Sequence, residues 1–164
     1  LHGQGGEGEM TLLFVVWLLQ DFAQLLLMGI CIVPDVFLMT ALFMAMLPGV
    51  SGERQTKLVW AAFVGGLLWD LRWTNLPGLS AAIGGGVLGL ICFLWYKTPA
   101  QGRTAGTFTV FAVLTHLLYS VLHFFFWTMP SGSAVRQLTV QQLTAVPVIA
   151  VFSWLFWKVY SDHG

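Results

Sequence analysis

Charged side chains are scarce in this sequence of 164 residues: Asp, Glu, Lys and Arg together make up 9%, against about 25% in soluble domains. Seven basic residues balance seven acidic ones. The chain therefore has neither the basic excess that binds nucleic acid nor the acidic tail of a disordered protein. With 57% hydrophobic residues and a mean hydropathy of +0.81, a water-soluble fold is excluded. The composition indicates a small integral membrane protein.

Cysteine and the common catalytic motifs are also missing or rare. Cys31 and Cys92 lie in separate apolar segments, which offers no disulfide framework and no metal-ligand cluster. The sequence has no nucleophile elbow, no HExxH and no phosphate-binding glycine loop with its lysine. Asp35 and Asp70 could form the acid pair of an intramembrane protease, but both lie at the ends of apolar segments, near water. We therefore expect no enzymatic activity, no cofactor and no metal.

Long apolar runs dominate the sequence, and turn-forming Pro, Gly, Ser and Asn separate them. Residues 1–9 contain four Gly and two Glu, so we interpret them as an expression remnant or a disordered leader. Residues 10–160 then form a single polytopic membrane domain. We predict an all-α bundle of six transmembrane helices, at about residues 10–27, 32–48, 56–72, 76–97, 104–129 and 140–160.

The short connections between these segments carry an asymmetric charge. If the amino terminus is cytoplasmic, five basic residues fall on the inner side and only Arg72 and Arg136 on the outer side. Because Lys and Arg are enriched in cytoplasmic loops, both termini are expected inside. The five inner residues are Arg54, Lys57, Lys97, Arg103 and Lys158.

A few polar residues fall within or beside the apolar segments, where they are costly unless paired. Gln20 belongs to a polar patch in the first segment. Asp35 follows Pro34, which suits the first position of a helix whose dipole a carboxylate complements; a contact with a partner protein is the alternative. Asp70 near a helix carboxyl end requires compensation, so we expect a cross-helix partner, with Arg72 as a candidate if the chain bends after it.

One face of the fifth segment carries His116, Tyr119 and His123, because three- and four-residue spacings align on a helix. A metal site or a proton relay is conceivable here. However, metal pairs on one helix normally use i, i+4 spacing, so neutral imidazoles that hydrogen-bond across the bundle are favoured.

Glycines in the third and fourth segments have two interpretations. Gly65 and Gly66, and the Gly85–Gly89 pair at GxxxG spacing, allow helix backbones to approach closely. Close internal packing is the ordinary explanation, and a docking face for another membrane helix is the functional one.

The order of the short motifs resembles the rod shape-determining protein MreD family over about residues 10–160, with its specific part between Gln20 and Ala81. Leu19-Gln20 ends the first segment, and Ile32-Val33-Pro34-Asp35 opens the second. Phe63-Val64-Gly65-Gly66-Leu67-Leu68-Trp69-Asp70 then closes the third segment before Pro77-Gly78-Leu79-Ser80-Ala81. The polarity of Asp21 and Gln24 departs from what that family position is expected to carry.

The resemblance implies a non-enzymatic protein of the bacterial inner membrane that belongs to the cell-elongation machinery. It would bind the bitopic protein MreC and, through it, the MreB filament, RodA and a class B penicillin-binding protein, in contact with membrane lipid and without nucleic acid. The partner-binding or structural candidates are Gln20, Pro34, Asp35, Gly65, Gly66, Asp70, Arg72, Gly78 and His123.

The family is similar in fold to the substrate-binding subunits of energy-coupling-factor vitamin transporters, which supplies an alternative. In that case an external cleft with Asp35, Asp70, Arg72 and His123 would bind a small molecule. The connections at 28–33 and 73–76 are too short to cap such a ligand, which favours the scaffold.

Overall fold

The computed structural model describes residues 4–27, 33–73, 76–127 and 132–162. In these ranges every regular element is a helix, in agreement with the predicted all-α class. The helices are α1 (Gln4–Leu27), α2 (Val36–Met46), α3 (Gly52–Trp73), α4 (Leu79–Lys97), α5 (Ala105–Trp127) and α6 (Gly132–Asp162), with one 3-10 turn at Ala100–Gly102.

Four of the six predicted spans are long and apolar enough to cross a membrane: Glu7–Leu27, Leu79–Lys97, Ala105–Phe126 and Leu138–Ser161. These make the chain a multi-pass membrane protein by length and composition. α3 is long enough, but charged residues occupy both of its ends. α2 has 11 residues and is therefore only about 16 Å long, roughly half of a bilayer core. Four of the six predicted membrane spans are therefore supported by the length and composition of the helices.

α2 lies inside the bundle rather than at its surface. Nine of its 11 residues are buried, and it contacts each of the other five α-helices. Phe43 of α2 packs against an aromatic group formed by Phe108 and Phe156, whose rings stack with centroids 4.3 Å apart. The all-round apolar sequence of α2 is what a fully enclosed helix needs.

α3 and α4 form the closest helix pair of the fold. A Cβ atom on Gly66 would lie 2.7 Å from the backbone N and Cα of Ala81, so only glycine permits this approach. Gly85 faces Phe63 in the same interface. Gly78 adopts a positive φ of 94° immediately before α4. Gly66 and Gly85 serve internal packing, as the ordinary interpretation predicts, whereas Gly78 permits the left-handed backbone conformation before α4.

The helical part of the predicted leader is joined to the bundle. α1 already includes residues 4–9, and the Glu9 carboxylate forms an ion pair with the Arg54 guanidinium of α3. Whether residues 1–9 are native stays a prediction, and Leu1, His2 and Gly3 lie outside the described residues.

Candidate functional site

The amino-terminal end of α2 is the first place where the polar candidates meet. Asp35 is the N-cap of α2, and its Oδ1 accepts a hydrogen bond of 2.9 Å from the Leu38 amide. Gln20 of α1 accepts the Phe37 amide at 2.6 Å and approaches Asp35 Oδ1 at 3.4 Å. Two of the four free amides of this helix end are thereby satisfied by side chains.

This geometry corrects the sequence expectation in one respect. α2 begins at Val36, so Pro34 precedes the cap and does not occupy the first helical position. The carboxylate of Asp35 still complements the helix end as expected, but as the cap itself.

Asp70 has the same role for α4, although it belongs to α3. Its carboxylate is fully buried, and Oδ2 accepts the backbone amides of Ser80 at 2.8 Å and Ala81 at 3.3 Å. The expected cross-helix partner of Asp70 is therefore the amino-terminal end of α4. Because Gly66 lets α4 approach α3, these amides come within reach of the carboxylate.

Arg72 does not pair with Asp70, contrary to the candidate pairing derived from sequence. Its Nε lies 2.9 Å from Oδ1 of Asp21 on α1, and the Trp73 indole donates to the same oxygen at 2.8 Å. Residues 70 and 72 point in different directions on a helix of 3.6 residues per turn. The unexpected polarity of Asp21 is thus explained by an ion pair between α1 and α3.

The histidines of α5 bond to neighbouring helices, as the favoured interpretation predicts. His123 Nε2 lies 2.9 Å from Ser80 Oγ of α4, and His116 Nδ1 lies 3.0 Å from Gln142 Oε1 of α6. Among the described residues, no group of three or more His, Cys, Asp or Glu side chains could hold a metal ion.

A small cavity, here called the Asp35 cavity, lies where α2, α3, α4 and α5 meet. It measures about 20 Å³, and its polar lining includes Asp35, Ser80 and Tyr119. Of the four residues expected to line a ligand cleft, Asp35 is the one that faces this cavity; Asp70, Arg72 and His123 are not among its lining residues. The connections expected to be too short for a ligand cap fall largely at residues 28–32 and 74–75, outside the described ranges.

A much larger cavity, here called the α1–α3 groove, opens laterally between these two helices. Its volume is about 450 Å³, and its lining is almost entirely apolar. Ala61 and Gly65 of α3 lie at the helical spacing of small residues that allows close helix approach. The lining residues are Met10, Leu13, Phe14, Trp17, Phe37, Lys57, Trp60, Ala61, Val64, Gly65 and Leu68.

Ion pairs between α1 and α3 frame both ends of this groove. Glu9–Arg54 stands at one end and Asp21–Arg72 at the other; Glu9 and Asp21 are separated by about 18 Å along α1. Between them, the Trp17 indole donates a hydrogen bond of 3.0 Å to the Gly65 carbonyl. Two ion pairs and one hydrogen bond thus connect α1 to α3 along the groove.

Several of these residues were not anticipated from sequence. In the sequence, Trp17 is one of many apolar residues in the first segment, and Glu9 belongs to the predicted leader. Nothing in the sequence connects either residue to α3. Gln142 carried a weak signal, since Gln141 and Gln142 are adjacent polar residues in an apolar segment. Cys92 is buried as a small apolar side chain, as expected, and Cys31 lies outside the described residues.

The chain was compared with protein families, curated proteins and solved structures. No family model, curated protein or solved structure matches the chain.

Proposed function

We propose that this chain is a non-enzymatic membrane scaffold that binds a bitopic, MreC-like membrane protein of the bacterial cell-elongation machinery. The observation that carries the proposal is the α1–α3 groove, which is apolar, open to the outside of the bundle and framed by two ion pairs. The motif resemblance supplies the identity of the partner. MreB, RodA and a class B penicillin-binding protein would be reached through that partner.

The groove fits the transmembrane helix of such a partner for physical reasons. Helices associate in lipid through close van der Waals packing, and the groove offers an almost entirely apolar surface for such packing. Phe14 and Trp60 flank the opening with more than half of their surface exposed, and large aromatic side chains are frequent anchors at interfaces. The framing ion pairs connect α1 to α3 at both ends of the opening.

The candidate polar residues support the same proposal, because their side chains are used inside the fold. Asp35 and Asp70 cap helices, and Gln20 and His123 bond to neighbouring helices. The Asp35 cavity, at about 20 Å³, is far smaller than the roughly 300–1,000 Å³ of small-molecule sites. The α1–α3 groove, at about 450 Å³, has the volume of a small-molecule site, but its lining is almost entirely apolar, with Lys57 as the charged residue in it. Such a lining suits an apolar helix better than a polar vitamin, which favours the scaffold over the transporter subunit.

Co-purification tests this proposal. The chain is co-expressed with an MreC-like bitopic membrane protein, solubilised in mild detergent and captured by a tag. Val64→Trp fills the groove from a position that is 50% exposed, so we expect partner recovery to fall about tenfold, the equivalent of 1.4 kcal/mol of lost binding.

Val113→Trp is the matched control, since Val113 is 47% exposed on α5, away from the groove. It should leave partner recovery unchanged. Equal partner recovery with both variants would show that the partner does not bind in the α1–α3 groove. Purification of an unaccompanied chain that carries a bound vitamin would contradict the scaffold itself.

A further inference from the structure

Charge is unevenly distributed along this chain. Between Asp70 and Asp162 the sequence contains five basic residues and no acidic residue. Two of the basic residues, Lys97 and Arg103, belong to the hairpin that α4 and α5 form, and they are its only Asp, Glu, Lys or Arg residues. The hairpin therefore has two positive charges and no carboxylate of its own to neutralise them.

Lys97 and Arg103 lie together at the end of α4, and we call them the α4–α5 corner. Arg103 Nε donates a hydrogen bond of 3.0 Å to the Thr98 carbonyl, and Nη2 donates one of 3.1 Å to the Tyr96 carbonyl. These carbonyls belong to the residues on either side of Lys97. The guanidinium carbon also lies 5.9 Å from the centre of the buried Trp95 ring. The guanidinium is thus held in place, and its Nη1, which has no acceptor among the described residues, can donate to an anion.

Neither cation of the α4–α5 corner has an ion-pair partner within the part of the chain that the structure describes. The ion pairs there join Glu9 to Arg54, Glu53 to Lys57 and Asp21 to Arg72. Glu53 lies at the same end of the bundle as the corner, because α3 and α4 run antiparallel, but Lys57 already neutralises it. A counter-ion for the two charges of the corner therefore has to come from outside the described residues.

The α4–α5 corner lies at the boundary between membrane and water. Lys97 ends one candidate membrane span, and Arg103 lies two residues before the next. On the outer side of α4, Leu90 and Phe93 are 50% and 57% exposed, and they share a helix face with Lys97. The Lys97 ammonium lies 5.5 Å from the centre of the Phe93 ring. An exposed apolar strip thus ends at two cations.

We propose that the α4–α5 corner binds the phosphate group of an anionic phospholipid. The acyl chains of that lipid pack along Leu90 and Phe93, and its phosphate accepts hydrogen bonds from Lys97 and Arg103. Basic residues at the membrane boundary attract anionic headgroups, whereas a zwitterionic lipid has no net charge with which to neutralise the corner. The corner is separate from the α1–α3 groove, so the inference does not depend on the proposed partner.

Native mass spectrometry of the full chain in a non-ionic detergent tests this site. The protein is titrated with phosphatidylglycerol or with phosphatidylcholine of the same acyl chains, and the lipids that stay bound are counted. We expect the first phosphatidylglycerol to bind about tenfold more tightly than phosphatidylcholine, because it meets two unpaired cations. Lys97→Gln should weaken this binding about fivefold, the equivalent of the roughly 1 kcal/mol that one basic residue contributes at an anionic surface.

Two further variants separate the corner from the net charge of the protein. Lys97→Arg keeps the positive charge and should retain the affinity for phosphatidylglycerol. Lys57→Gln is the matched control, since it removes the same charge from a residue that is already paired with Glu53, and it should leave that affinity unchanged. Equal binding of the two lipids by the unsubstituted chain would overturn the proposal. An equal loss of affinity in Lys57→Gln and Lys97→Gln would also overturn it, because net charge alone would then explain the binding.

Discussion

At the scale of single residues, Gly66 determines how the candidate site is assembled. Its missing side chain lets the backbone of α4 contact α3, with a virtual Cβ only 2.7 Å from Ala81 N. That approach brings the amides of Ser80 and Ala81 to Asp70. The motif Gly-Leu-Leu-Trp-Asp covers residues 66–70. Its glycine permits the close packing of α4, and its aspartate, one helical turn later, caps α4.

Replacement of Gly66 tests this explanation. Gly66→Ala should lower the free energy of unfolding by about 1–3 kcal/mol, because its Cβ would overlap main-chain atoms that cannot move easily. Gly86→Ala is the control: Gly86 faces open space in the middle of α4, and alanine should stabilise the helix by up to about 1 kcal/mol. Unfolding of the detergent-solubilised protein measures both. Equal effects of the two variants would contradict the packing role.

At the scale of whole helices, side chains from neighbouring helices cap the amino-terminal ends of α2 and α4. Gln20 of α1 assists Asp35 at α2. At α4 the local N-cap is Gly78, which has no side chain, and the Asp70 carboxylate of α3 accepts the amides of Ser80 and Ala81. The amides at a buried helix end need partners when water and lipid cannot supply them. The polar residues of the motif therefore fix helix positions.

Asp70→Ala should destabilise the fold by about 2–4 kcal/mol, since two buried amides lose their acceptor. Asp70→Asn keeps an acceptor oxygen and should cost clearly less. Glu53→Ala, at an exposed acidic residue of the same helix, should change stability by no more than about 0.5 kcal/mol. Thermal unfolding of the three variants distinguishes them. If Asp70→Asn were as damaging as Asp70→Ala, charge rather than capping would explain the residue.

Sequence analysis predicts these helices better than their environments. Apolar runs and turn residues predict all six helices, and the expectation of a cross-helix partner for Asp70 is confirmed. The six-span prediction counts α2 as a membrane span, but the 12 residues between Asp35 and Pro48 are too few for a span, and an apolar run of that length is more typical of a buried core helix. The Arg72–Asp21 pair depends on how α1 lies against α3, which is a tertiary property that local spacing does not contain.

At the scale of the whole molecule, the bundle has one tightly packed side and one open side. α2 contacts all five other α-helices, whereas α1 contacts α3 mainly at the framing ion pairs and through Trp17. The α1–α3 groove between them is the central feature of the proposed scaffold. In the proposed complex, the partner helix would lie beside α1.

Site-specific photo-crosslinking tests this central claim most directly. A photoreactive benzoylphenylalanine is placed at position 64, which lines the groove, or at position 113, which does not, and the chain is irradiated in membranes that also contain the MreC-like bitopic protein. We predict that position 64 crosslinks to the transmembrane helix of that protein and that position 113 does not. Crosslinks from position 64 to lipid alone, with the partner present in excess, would contradict the proposed scaffold.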